Sequence, residues 1–257
     1  MERQESIIFE QPLNEHTRIY LRLEHLFKQA EHYLDKQNVW EVYQALHSIL
    51  DLMIFLDRPD IKTKLSNAII QHITALNNLT NNSDVDSDKL LDLIERLNKT
   101  KSILHNIRGR FAPDLYSNDF LAAAKKRISS PAGACNYALP ALHLWLKQPH
   151  DKQQQVLNNW FKEFSFLQDT VNLLLDLVRN SSSTEDKKAQ TGFYQDMLAS
   201  NINYQLVRVT IPMNLQLYPE ASLGRHRLSI YFYEFDLTNR RRQIDYDVAF
   251  KLQLGRI

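Results

Sequence analysis

Residues 156 to 179, VLNNWFKEFSFLQDTVNLLLDLVR, carry the densest helical signal in the chain. Leu157, Trp160, Phe164, Leu167, Val171, Leu174 and Val178 recur at alternating steps of three and four, which puts them on one stripe of an α-helix. Phe166, Leu173, Leu175 and Leu177 add apolar surface off that stripe, so the second half is apolar nearly all round and predicts a helix enclosed by others. At roughly 1.5–3 kcal/mol per large apolar side chain removed from water, no other segment offers as much burial. The spacing predicts one helix, with His150 or Asp151 at its start and the polar run after Arg179 at its end.

Upstream, the same period appears repeatedly. Asn14 offers a cap to a stripe of Ile19, Leu23, Leu26, Phe27, Ala30 and Leu34. A second helix follows Asn38 and carries Val42, Leu46, Ile49, Leu50 and Met53. Pro59 suits the first turn of a third helix with Leu65, Ile69, His72, Leu76 and Leu79 on its core face. The polar segment 80–87 opens a fourth helix ending near Gly109. Ser117 or Asn118 caps a fifth that ends in Lys125, Lys126 and Arg127, and LPALHLWLKQ from Leu139 forms a short sixth.

Downstream, residues 180–190, NSSSTEDKKAQ, have the composition of an exposed flexible loop, and beyond it the period changes from 3.6 to 2. Val207, Val209 and Ile211 alternate, as do Leu228, Ile230 and Phe232, and then Ile244, Tyr246, Val248, Phe250, Leu252 and Leu254. Three half-buried antiparallel strands are expected, apolar towards the helices, with the early run Ser6 to Glu10 adding a strand and tying the termini together. The expected class is therefore α+β: a helical bundle over residues 13–190, and a small antiparallel β domain over 191–257 to which residues 5–10 contribute a strand.

Composition narrows the chemistry. Hydrophobic residues at 44% and charged residues at 24% of 257 suit a globular protein, and a net charge of +1 leaves no bulk field to draw nucleic acid or an anionic membrane. The apolar runs are shorter than a membrane span and MERQESIIFEQPL has no signal-peptide core, so a cytoplasmic protein is expected. Five glycines are too few for glycine-rich phosphate cradles and many tight hairpins. The single cysteine, Cys135, excludes an internal disulfide and reads as a small buried thiol.

Asp84, Asp86, Asp88 and Glu95 match positions of a calcium loop. Lys89 stands where that loop needs glycine, so they read as the acidic start of a helix. The nine histidines include no H-x-x-x-H pair, and His72 and His143 read as helix-packing residues. No nucleophile motif is present, so neither a catalytic residue, a metal nor a cofactor is expected. What remains is basic: Arg225 and Arg227 on one face of a strand, Arg240, Arg241 and Arg242 before the last strand, and Arg58 at a helix junction. Arginine forks grip carboxylates or phosphates in pairs, which would make these a patch for a peptide or, alternatively, for nucleic acid.

Five ordered blocks carry a family resemblance: FEQPLNEHTRIYLRLEHL from Phe9, KRISSPAGACNYALPALHLWL from Lys126, GFYQD from Gly192, QLYP from Gln216 and RHRLSIYF from Arg225. Together they resemble the bacterial cell-division family ZapD, Z-ring-associated proteins. The resemblance implies a helical and a β domain, and a non-enzymatic cytoplasmic homodimer at midcell. Such a dimer binds the C-terminal tail of FtsZ, the tubulin-like division GTPase, and bundles its filaments, with neither nucleic acid nor membrane as partner. It implies that basic residues at the junction of the domains hold the tail: Arg58 and Arg227 match such positions, Arg225 a neighbouring one. Tyr231 stands where a relative has arginine, a lost charge for which Arg240, Arg241 and Arg242 are the candidates to compensate. The first helix and the segment 139–179 are the candidates for the dimer contact.

Overall fold

The computed structural model describes residues 5–80, 86–128, 133, 135–224 and 226–257. The chain forms two compact units, one of residues 19–174 and the other of residues 1–18 with 175–257. The class is α+β, as the change of period implies.

The first unit is helical. Along it run the bulk of α1 (Glu15–Leu34), then α2 (Val39–Leu56), α3 (Ile61–Asn77), α4 (Ser87–Asn106), α5 (Pro113–Tyr116), α6 (Asp119–Ile128), α7 (Pro140–Trp145), α8 (His150–Lys162) and the first part of α9 (Ser165–Arg179). α2 is the core helix: Val42, Ala45, Leu46, Ile49, Leu50, Leu52, Met53 and Leu56 are all buried, and it packs against α6 and α8. Among the described helices it is the one long and apolar enough to cross a membrane by composition, yet half of it is covered by protein, as a core helix requires. Phe27 meets Phe161 edge-on at 6.3 Å between ring centroids. Phe120, Trp145 and Trp160 pack mutually at 5.9–6.2 Å, joining α6, α7 and α8.

Local chemistry sets the helix ends. Asn38 caps α2 by accepting from Trp40 N at 2.9 Å, while Glu41 accepts from Asn38 N at 3.3 Å, a capping box. Asn38→Ala is expected to lower stability by about 1 kcal/mol, measured by urea unfolding. Asp86, the acid expected at a helix start, caps α4 by accepting from Lys89 N at 3.2 Å and pairs with the Lys89 ammonium at 2.9 Å, whereas Asp84 lies outside the described residues. Asn118 caps α6 through Leu121 N.

Three expectations about this unit are corrected. The stretch 156–179 is two helices: Glu163 and Phe164 form a turn with i→i+3 bonds to Trp160 and Phe161, and α9 restarts with Gln168 N donating to Phe164 O at 2.9 Å. The turn keeps the stripe in phase, with Leu157, Phe164, Leu167 and Val171 all buried, so spacing alone does not reveal it. Cys135 is exposed, in a turn where its backbone carbonyl accepts from Ala138 N and Leu139 N. His143 is also exposed, on the outer side of the six-residue α7.

His72 is buried as expected, 5% exposed on α3, and its Nε2 finds no partner among the described residues. Burial disfavours the imidazolium and pushes its pKa down to about 4. The unfolded chain therefore binds a proton near pH 6.5 that the folded chain refuses until about pH 4, so stability falls with acid across that window. By pH 5.5 the loss from this group is about 1 kcal/mol. In His72→Leu the stability difference between pH 7 and 5.5 is expected to shrink by that amount, and parallel wild-type and variant curves would contradict it.

The second unit is a sandwich of two antiparallel sheets. One has the order β1–β4–β7–β2, from Ser6–Pro12, Tyr204–Pro212, Val248–Arg256 and Glu185–Ala189. The other has the order β3–β6–β5, from Phe193–Met197, Arg227–Glu234 and Leu217–Leu223. The early strand pairs with β4, Phe9 opposite Val209, as anticipated. Val207, Val209, Ile211, Leu228, Ile230, Phe232, Val248, Phe250 and Leu252 share one core between the sheets, so their apolar faces meet each other and not the helices, contrary to expectation.

Strand number is corrected too. Residues 185–189 form a strand where a loop was expected, because EDKKA is a charged edge strand with only Ala189 buried, and charges on an edge discourage further pairing. β3 and β5 are likewise additional. Tyr246 lies before β7 and is exposed, although it shares parity with the core face. Gly192, at φ 71°, closes the β2–β3 turn, where a Cβ would stand 2.5 Å from Ile244 O, so glycine is required there.

The last turn of α9 covers the other face of the first sheet. Glu10 accepts from Arg179 Nε at 2.8 Å and Nη2 at 2.6 Å and pairs with Arg208 at 2.8 Å, and Arg208 Nη1 donates to Gln253 at 2.7 Å. Asn14 caps α1 by accepting from Thr17 N at 2.8 Å, and its amide donates to Gln205.

Candidate functional site

Arg58 occupies the turn between α2 and α3. Its guanidinium lies 5.6 Å over the Phe55 ring and Nη2 meets Asp60 at 3.1 Å, while Lys64 meets the same carboxylate at 2.6 Å. Lys64 and then Arg58 hold the Asp60 carboxyl down to about 2. One residue before Arg58, Asp57 takes the Lys125 ammonium and lies 3.7 Å from Arg110. Arg110 stacks 4.7 Å over Tyr116, whose hydroxyl donates to Met53 O at 2.8 Å and is pushed up to about 12, mainly by burial.

Four cations thus gather round two aspartates at the C-terminal end of α2, where the helix dipole favours positive charge. Sequence reading picked out Arg58 and the Lys125 run separately and missed Arg110. The surplus of bases over residues 99–127 was the available signal. Nearby, a cavity of about 300 Å³ is lined by Arg108, Arg110, Phe111, Glu163 and Phe166.

In the β unit, Arg227 opens β6. Alternation turns Leu228, Ile230 and Phe232 into the core and leaves Arg227, Ser229, Tyr231 and Tyr233 on the outward face. Arg227 is exposed, stands opposite Met197, which is 71% exposed, and has no ion-pair partner among the described residues. Arg225 lies outside the described residues. Tyr231 packs on Phe193 with centroids 4.8 Å apart.

Arg240, Arg241 and Arg242 lie beyond the other end of β6. From Arg227 to Tyr233 is six strand steps, about 20 Å, so Arg227 and the Arg241 that lies on Tyr233 stand at opposite ends of one sheet face and do not form one cluster. Arg241 stacks 3.5 Å over Tyr233 and donates from Nη2 to Glu220 at 2.6 Å. Arg240 and Arg242 are exposed, with no side-chain partner among the described residues. The loop leading to them is tied by Asp236, which accepts from Asn239 and Thr238 at 2.6–3.1 Å and is held well below the usual carboxylate range by those bonds. Among the described residues no three histidine, cysteine, aspartate or glutamate side chains are grouped as a metal site.

The architecture is that of an α+β protein that leaves Arg58, Arg227, Arg240, Arg241 and Arg242 exposed. Residues 21–231 match the family model described as ZapD, cell division protein. The chain is similar to the cell division protein ZapD of Coxiella burnetii, 37% identical over 254 residues covering 98% of each chain. It is also similar to that of Chromobacterium violaceum, 32% identical over 96% of this chain and 98% of the relative, and to that of Methylococcus capsulatus, 28% identical over 96% of each. The chain belongs to the ZapD family, and with it to the cell division proteins.

Proposed function

We propose that this protein binds the C-terminal tail of FtsZ and, as a homodimer, cross-links FtsZ filaments at the cytoplasmic division site, without catalysing a reaction. Family membership supports a division role, and one observation carries the finer reading: Arg227 stands exposed on a sheet face beside the bare Met197, with no described acid to neutralise it. An acidic, partly apolar tail is the ligand that such a face complements. Arg58, Arg225, Arg240, Arg241 and Arg242 are the further residues assigned to tail binding.

Each grip is weak because it is solvent-exposed. Two grips in a dimer raise the effective concentration of the second, so avidity exceeds single-site affinity by roughly 10²–10⁴ where geometry permits. Fluorescence anisotropy of a labelled tail peptide tests the reading. Binding that weakens steadily as salt rises is expected, since exposed charges are screened beyond about 8 Å at physiological ionic strength. Absence of binding at low salt would refute it.

A further inference from the structure

The Arg241 side chain is held in a way that an ordinary solubilising arginine is not. Its planar guanidinium lies on the Tyr233 ring at 3.5 Å, and Tyr233 in turn stacks on Tyr218, with centroids 5.6 Å apart and planes 26° from parallel. Glu220, opposite Tyr231 on the neighbouring strand, takes one nitrogen, Nη2, at 2.6 Å. One flat face and one corner of the fork are thereby fixed, so little rotamer freedom is left to lose when the remaining N–H donors meet a ligand. Arg240 and Arg242 flank it without described side-chain partners, and Phe235 and Leu237 stand 53% and 86% exposed just before them in the chain.

We infer that Arg241 on its tyrosine stack is a second carboxylate subsite, and that an acidic peptide lies extended along the outward face of β6 with one acid at Arg227 and another at Arg241. The inference rests on the peptide-binding reading above and adds to it a second anchor and a length. The two arginines are separated by six strand steps, about 20 Å, which an extended peptide spans with six or seven residues. Between them the face offers Ser229 and the Phe193–Tyr231 pair, which suits small and apolar side chains between the terminal acids. Glu220 acts as a positioning residue: it aims the fork and leaves the rest of it available.

The test uses the labelled FtsZ tail peptide and a version with its carboxylates replaced by amides, against wild type, Arg241→Ala, Arg241→Lys and Arg227→Glu of the full chain, each checked for an unchanged circular dichroism spectrum. Arg241→Ala is expected to weaken the acidic peptide about tenfold, with Arg241→Lys failing to restore it, because an ammonium neither stacks nor forks. For the amide peptide, wild type and Arg241→Ala are expected to bind alike. Equal affinity of wild type and Arg241→Ala for the acidic peptide, with Arg227→Glu still abolishing binding, overturns the subsite and leaves tail recognition standing. A wild-type chain that binds neither peptide overturns both.

Discussion

An Arg227→Glu variant is expected to lose tail-peptide binding by about a hundredfold or more while unfolding at the wild-type urea midpoint. Removing a charge-assisted hydrogen bond costs roughly 1.5–3 kcal/mol, and the introduced glutamate adds repulsion towards the acids of the ligand. The fold is insulated from the change. Arg227 is exposed on the outward face, whereas β6 is anchored by Leu228, Ile230 and Phe232, all fully buried. Surface substitutions of this kind usually shift stability by less than about 0.5 kcal/mol. Under the proposed function the loss is amplified in filament bundling, because cross-linking by a dimer needs both grips. Arg227→Lys keeps the charge without the fork and is expected to fall between the two. Full-strength binding by a folded Arg227→Glu protein would remove that residue from the site.

Glu10→Ala is expected to lower stability by about 2–3 kcal/mol. The Glu10 carboxylate accepts two bonds from Arg179 and pairs with Arg208, and these three side chains are only 18–22% exposed. Deleting it leaves two arginines facing each other with little water to solvate them. Breaking a fully buried pair costs about 3–5 kcal/mol, and the partial exposure here reduces that figure. The same carboxylate ties β1 to the last turn of α9, so its loss is felt as fraying of the N-terminal strand. Urea unfolding gives the magnitude, and hydrogen exchange on β1 gives the location. The double change Glu10→Leu with Arg179→Leu is expected to recover most of the loss, since Arg208 retains Gln253. A single variant as stable as wild type would show that the network adds nothing.

The fold class was legible because both periods were clean. Val207, Val209 and Ile211, then Leu228, Ile230 and Phe232, alternate without a break, and each is buried in the sandwich. Asn14, Asn38 and Asn118 announced three helix starts by chemistry that operates within a few residues. What stayed hidden depends on partners distant in sequence. EDKKA is a strand only because β7 is there to pair with it, Lys187 opposite Phe250. The turn at Glu163 and Phe164 preserves the phase of the stripe, so no pattern can show it.

The candidate site divides in the same way. Strand alternation put Arg227 on an open face, and that needed no long-range information. The Arg241 stack, by contrast, depends on the β5–β6 register that sets Tyr218 opposite Tyr233, and the Arg58 surroundings depend on α6 delivering Lys125 to Asp57. Sequence alone could name those arginines but not what holds them.

The most direct test is sedimentation of polymerised FtsZ, with and without its C-terminal tail, in the presence of this protein. Co-sedimentation and bundling of full-length polymers, both lost when the tail is removed, are the predicted results. Equal bundling of tail-less polymers would contradict tail recognition as the basis of the protein's action.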